Sequence, residues 1–231
     1  MPVTPLLRKA FAELLGSAFL AAAVVGSGIA AQDLTRDTGL QLLENTVATG
    51  AALVALILAL GPVSAAFNPI VTLVERAFGA ITTREAGVFI GAQLCGCALG
   101  AMVANLMYDK PAVFLSHRTR GGTGELLAEV VATLGLVVVV FGVVRSGRGS
   151  VAYAVGGYIT AAYWFTSSTS FANPAITVAR SLTDTFSGID PSCVAAFVGA
   201  QLVGGVLALL AVRLLYPDAR QIAGDAVDIA S

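Results

Sequence analysis

Two Asn-Pro dipeptides carry the chemistry that this sequence offers. Asn68-Pro69-Ile70 and Asn173-Pro174-Ala175 each follow an apolar run and open a short one. Each has the form of a helix start: Asn caps through its side-chain oxygen, and Pro fits the first helical position, where its missing N–H costs nothing. A helix N-terminus carries about half a positive charge and several unpaired N–H donors. Two such ends brought together repel cations and protons. The carboxamides of Asn68 and Asn173 would donate to the oxygen of a neutral molecule, while peptide carbonyls of Val63–Phe67 and Ser167–Ala172 offer acceptors along one wall. A hydroxylated neutral molecule can trade its hydration for these groups, and an ion cannot do so cheaply. No bond making is implied. An enzyme needs a nucleophile with a base, and the apolar runs hold no His, Lys or Arg for that task apart from Arg213 near an end.

The remaining reactive residue types point to bland roles. Cys95, Cys97 and Cys193 all sit in apolar runs, where a thiol acts as a small apolar filler and gives no disulfide framework. His117 lies beside Arg118 and Arg120 without a second ligand, so it is expected to be solvated, with no metal site and no cofactor. Glu13 and Glu129 are different. An acid inside an apolar run marks a functional site by default, such as a proton relay, but a carboxylate whose hydrogen bonds are satisfied needs no such role.

The elements that must position these groups follow from composition. Of 231 residues, 57% are apolar and 12% charged, with a mean hydropathy of +0.85. A water-facing surface needs about a quarter of its residues charged, so this chain faces lipid. A net charge of -1 excludes an electrostatic nucleic-acid binder. Six runs are long enough to act as spans, near Arg8–Ala30, Gln41–Gly61, Glu85–Met107, Gly124–Val144, Ser150–Thr166 and Pro191–Tyr216. All are expected to be helices, because lipid leaves no partner for an open strand. The first is too long for a signal core and carries Glu13. With the N-terminus inside, Arg8, Lys9, Arg76, Arg84, Arg145, Arg148, Arg213 and Arg220 are cytoplasmic, against Arg36, Lys110, Arg118, Arg120 and Arg180 outside. That bias places both termini in the cytoplasm and the chain in the cell (inner) membrane.

Three segments recur in the same order. Ala12-Glu13-Leu14-Leu15-Gly16-Ser17 pairs with Ala128-Glu129-Val130-Val131-Ala132-Thr133, the two Asn-Pro segments pair with each other, and Gly91-Ala92-Gln93 pairs with Gly199-Ala200-Gln201. A three-span unit appears twice, and an odd span count inverts the second copy. The expected organisation is one channel domain over residues 1–231, built from inverted repeats of about 1–112 and 113–217, with a short polar tail 218–231. The runs Ile70–Phe78 and Ala175–Thr185 suit half-helices that re-enter the membrane without crossing it. Gly91, Gly96, Gly100, Gly199, Gly204 and Gly205 fit either a dimer face or close helix contact within one chain.

The two Asn-Pro segments, placed after the second and fifth spans with the Glu and Gly-Ala-Gln repeats around them, resemble the aquaporin and glycerol-facilitator family along essentially the whole chain. The resemblance implies an all-α integral membrane fold of six transmembrane helices plus two re-entrant half-helices in an inverted repeat. It also implies a passive, non-enzymatic channel for small uncharged solutes, assembled as a homotetramer in the bilayer. In such channels the Asn-Pro motifs (Asn68, Pro69, Ile70; Asn173, Pro174, Ala175) form the constriction. Glu13 and Glu129 accept hydrogen bonds from backbone N–H groups of the re-entrant segments. Thr49, Tyr163, Ser170 and Ile176 fall at the narrow-filter positions, with Ala162 or Trp164 as alternatives to Tyr163.

The departures bear on selectivity. The family usually has Gly-Ala-His ahead of the first Asn-Pro; here Ser64-Ala65-Ala66-Phe67 is one residue short and lacks the His. Ile70 replaces Ala, and Ile176 stands where the family typically has the filter Arg. Arg180, four residues on, is not expected to replace it on the same helix face, so a cationic gate is expected to be missing and the mouth wider and more apolar. That filter, with the run Phe171-Ala172-Asn173-Pro174-Ala175, is similar to a bacterial aquaporin group associated with arsenic detoxification. Water, glycerol-like polyols, arsenous acid and methylated arsenicals are the implied solutes. The alternative is a secondary transporter with an intramembrane Glu site, which also uses inverted repeats and broken helices.

Overall fold

A computed structural model describes residues 4–146 and 150–216. Eight helices follow in order: α1 (Pro5–Leu34), α2 (Thr38–Leu60), α3 (Pro69–Phe78), α4 (Thr83–Met107), α5 (Thr123–Ser146), α6 (Val151–Phe165), α7 (Pro174–Arg180) and α8 (Pro191–Leu215). No strand occurs among the described residues. The proposed tail 218–231 lies outside them, as does Arg148.

Helix starts are set by side chains that accept from otherwise unpaired N–H groups. Thr4, Asp37, Ser150 and Asp190 cap α1, α2, α6 and α8, and Pro stands in the first turn of α1, α3, α7 and α8. Thr82 and Glu85 close a reciprocal capping box on α4. α3 ends at Gly79, whose φ of 85° is the left-handed conformation glycine adopts without strain. α7 stops earlier than the run to Thr185 predicts. The Ser181 hydroxyl donates back to Val178 O at 2.7 Å, and Ser181 N–H and Leu182 N–H close tight turns onto Val178 O and Ala179 O. Those bonds end the helix after two turns.

Five helices, α1, α2, α4, α5 and α8, are long and apolar enough to cross a membrane. The sixth, α6, has 15 residues, about 22 Å at the helical rise. An irregular segment, Thr166–Ala172, with left-handed Thr169, Ser170 and Ala172, continues from it into the interior. α1 packs on α2 and α4, α5 packs on α6 and α8, and α2 meets α6. The short helices cross over: α3 lies against α4 and α8, and α7 against α4 and α8.

Close approach explains most of the paired glycines. A Cβ on Gly96 or Gly100 would collide with the carbonyl oxygens of Leu14 or Ala18 on α1. One on Gly204 would lie 2.6 Å from Val130 O on α5. Gly91 and Gly199 have nothing within 4 Å, so only they are left for any external face.

Polarity is inverted relative to a water-soluble bundle. Glu13, Asn45, Gln93, Glu129 and Gln201 are completely buried, while Leu99, Val103, Val206, Leu210 and Leu214 lie on the outside. An exterior of this kind requires a lipid solvent.

Candidate functional site

The first broken segment is held by Glu13. Its carboxylate accepts from Ala66 N–H at 2.9 Å, Phe67 N–H at 2.8 Å, Ser64 O–H at 2.5 Å and the Gln93 amide at 2.8 Å. Glu129 does the same for the second segment, accepting from Phe171 N–H and Ala172 N–H at 2.9 Å and from the Gln201 amide at 2.6 Å. Both glutamines also donate at 2.9 Å to a threonine of the adjoining short helix, Gln93 to Thr72 and Gln201 to Thr177. Each buried charge is thus surrounded by donors, which is the condition under which a buried carboxylate is tolerated.

These bonds hold an uncommon backbone. Phe67 and Ala172, the residues just before each Asn, have φ of 48° and 49°. A left-handed residue with a Cβ costs about 1–2 kcal/mol. The Glu13 and Glu129 bonds fall on the N–H groups of these two residues, and charge-assisted bonds of about 1.5–3 kcal/mol each offset that cost. The turn swings the Phe67 and Ala172 carbonyls toward the opposite segment. Asn68 Nδ2 then donates to Ala172 O at 2.7 Å, and Asn173 Nδ2 donates to Phe67 O at 2.8 Å. Meanwhile Asn68 Oδ1 accepts from Ile70 N–H at 2.9 Å, and Asn173 Oδ1 accepts from Ala175 N–H at 3.0 Å. The helix N-termini therefore abut, locked by a reciprocal pair of bonds, with one further amide N–H left on each Asn.

A cavity of about 470 Å³ runs past this junction. Asn68 and Asn173 line it, as do Thr49, Tyr163, Ser170 and Ile176, the four residues placed at filter positions. Of the three alternatives Tyr163 is the one in the lining; Ala162 is completely buried and Trp164 is half exposed on the outside. Tyr163 O–H donates to Thr49 Oγ1 at 3.2 Å. The Ser170 hydroxyl is buried without a partner. Pro69, Pro174 and Ala175 are buried behind the junction, and Ile70 packs against Gly205 of α8 and away from the cavity. At the α3 end Lys9, Pro62, Ser64, Ala65 and Glu75 complete the lining.

Arg180 differs from the sequence expectation. It lines the same cavity as Ile176, because residues four apart on a helix share a face. The guanidinium lost at Ile176 reappears one turn farther along α7. Its Nε donates to Ser187 O, and its Cζ lies 3.4 Å from the Phe171 ring centroid. Arg120, from the α4–α5 connection, donates to the carbonyls of Gly188, Ser168 and Phe186 and lies 5.1 Å from the same ring. Burial, with Arg118 nearby, lowers the Arg120 pKa to about 10, so it stays charged at neutral pH. Sequence reasoning assigned no role to Gln93, Gln201, Thr72, Thr177 or Arg120. The Gly-Ala-Gln repeat and the Thr three residues after each Pro were the available signals for the first four.

A lipid-facing helical bundle with a cavity threading two abutting half-helices defines a transmembrane solute channel. The comparisons specify which. The model of the major intrinsic protein family matches residues 2–151. The chain is 50% identical over 218 residues to the aquaglyceroporin AqpS of Rhizobium meliloti (strain 1021), covering 94% of each. It is 27% identical over 148 residues to a probable aquaporin NIP4-2 of Arabidopsis thaliana, covering 63% of this chain and 52% of that one. Its fold is similar to the X-ray structure of the aquaglyceroporin from Plasmodium falciparum, with a TM-score of 0.67 and 20% identity over 93% of this chain and 98% of the other. The chain belongs to the major intrinsic protein family. It is a membrane channel for small uncharged solutes and not an enzyme.

Proposed function

We propose that the channel conducts water and glycerol-like polyols, with arsenous acid and methylated arsenicals among its solutes, through a constriction formed by Asn68 and Asn173. The observation that carries this reading is the reciprocal lock of the two asparagines beside a continuous cavity, each keeping a spare N–H. A solute oxygen accepts from these donors while the half-helix N-termini oppose cations. Thr49, Tyr163, Ser170 and Ile176 act as the filter. Small or aliphatic groups at Thr49 and Ile176 favour solutes larger than water. Glu13 and Glu129 are structural, holding the broken segments. The similarity to a protein named aquaglyceroporin supports the polyol reading.

In this reading residues 1–112 and 113–217 are inverted repeats of one channel domain. The parallel bonding of Glu13 with Gln93 and of Glu129 with Gln201 supports that division. The channel works as a homotetramer in the inner membrane with both termini cytoplasmic, as the distribution of Arg and Lys favours.

The test is stopped-flow swelling of proteoliposomes in water, glycerol and arsenite gradients, for wild type and Ile176→Arg. All three solutes should equilibrate faster than in empty vesicles, and the substitution should slow glycerol and arsenite more than water. Equal slowing of all three would remove Ile176 from the filter. Dependence of uptake on a proton gradient would favour the transporter alternative.

A further inference from the structure

Arg180 is the cavity-lining group that neutral-solute passage leaves without a task. The residue is 2% exposed. Its Nε is taken by Ser187 O and its plane rests on Phe171. Its terminal nitrogens Nη1 and Nη2 make no hydrogen bond to a described residue, although Arg180 lines the cavity. A guanidinium presents five N–H donors in a planar fork, and the Nη edge of this one is available to a molecule in the cavity.

No carboxylate hydrogen-bonds this fork, although buried Glu129 lies within electrostatic reach of Arg180 and Arg120. Every side-chain hydrogen bond of Arg118, Arg120 and Arg180 ends on a backbone carbonyl, at Phe186, Gly188, Ser168 or Ser187. Among the described residues the carboxylate that lines the cavity is Glu75 on α3, across the Asn68 and Asn173 junction. Ser170 lines the same space, with its hydroxyl oxygen buried and without a protein partner. Ile176, one turn toward the junction, adds an apolar wall. A neutral solute would gain hydrogen bonds here. An oxyanion would gain the same bonds in charge-assisted form. A planar carboxylate matches the fork in two-point geometry, which suits guanidinium and not ammonium.

We propose that the α7 end of the cavity is a binding site for a small monocarboxylate-type oxyanion, held on the Nη1 and Nη2 edge of Arg180, and that the bound anion obstructs solute flow. The proposal rests on the channel reading above. A bound ion must shed its remaining hydration to pass Ile176, so it occupies the path instead of crossing it.

The experiment uses full-length protein in proteoliposomes, with sodium formate on both sides of the membrane against sodium chloride at equal ionic strength. Glycerol permeation is read by stopped flow, and each variant is expressed relative to its own rate in chloride. Wild type should lose at least half of its glycerol rate, with a saturable dose curve. Arg180→Met should show no formate-specific loss, and Arg180→Lys should need several-fold more formate for the same effect. If Arg180→Met does not assemble, the Lys variant carries the comparison. Glycerol flux indifferent to formate in wild type would overturn the proposal and leave the channel intact, as would equal inhibition in wild type and the Arg180 variants. Absence of any glycerol flux in wild type would instead remove the channel reading.

Discussion

Replacing Glu13 by Gln removes one negative charge and changes one acceptor into a donor, without changing side-chain volume. In the wild type this carboxylate receives four hydrogen bonds, from Ser64, Ala66, Phe67 and Gln93. The new amide oxygen can keep two of them, while its NH2 group faces the two former donors of the other oxygen. Two charge-assisted bonds at about 1.5–3 kcal/mol each give a loss of about 3–6 kcal/mol. The left-handed Phe67, with φ of 48°, then loses its restraint, and with it the carbonyl that accepts from Asn173. At about 2–4 °C per kcal/mol for a chain of this size, thermal unfolding in detergent should shift down by on the order of 10 °C. Glycerol flux per folded protein should also fall. A variant that unfolds within about 2 °C of wild type and keeps its flux would refute the reasoning. A proton relay at Glu13 predicts the opposite pattern, unchanged stability with altered response to a proton gradient.

Four further outcomes follow from the geometry. Glu129→Gln should also destabilise, but by less than Glu13→Gln, since Glu129 receives three bonds and not four; calorimetry or scanning fluorimetry orders the two. Gly96→Ala should cost about 1–3 kcal/mol of stability because its Cβ meets the Leu14 carbonyl, whereas Gly91→Ala, with open space, should be near neutral; equal effects would exclude helix contact as the reason for the small residue. Asn68→Ala removes the bond to Ala172 O and the cap on Ile70 N–H; it should cut glycerol flux and cost about 1–2 kcal/mol, read by stopped flow and thermal unfolding. Asp190 is held below its usual value of 3.8 by side-chain and backbone hydrogen bonds from Ser192. Its folded pKa being depressed, the stabilisation is present above the unfolded value and is lost as pH falls through the folded one. Hydrogen exchange at the start of α8 should therefore rise only below about pH 4, and Asp190→Asn should abolish that rise.

The fold was legible in the sequence because lipid imposes one rule on every span. The six apolar runs correspond to α1, α2, α4, α5, α6 and α8, and the Asn-Pro signature marks the starts of α3 and α7. What sequence missed lies in contacts between elements. The run after Asn173 gave no sign that Ser181 would turn its hydroxyl back on Val178 and end α7 at Arg180. Nothing local to Phe67 or Ala172 announces a positive φ, since Glu13 and Glu129 impose it from far along the chain. Arg180 is four residues from Ile176, one helical turn, so both line the cavity, a relation that separation along the chain alone obscures. Gln93 and Gln201 were visible only as a repeat; their double duty toward a carboxylate and a threonine needs three helices in place.

The central claim is that two half-helices meet N-terminus to N-terminus beside an aqueous path, fixed by Asn68 to Ala172 O and Asn173 to Phe67 O. The most direct measurement is a high-resolution cryo-EM map of the protein in lipid nanodiscs containing glycerol. Both amide-to-carbonyl bonds are expected near 2.7–2.8 Å, with a file of water or glycerol oxygens passing the two free asparagine N–H groups. Asparagines held apart, or turned toward lipid with no solvent file between them, would contradict that claim.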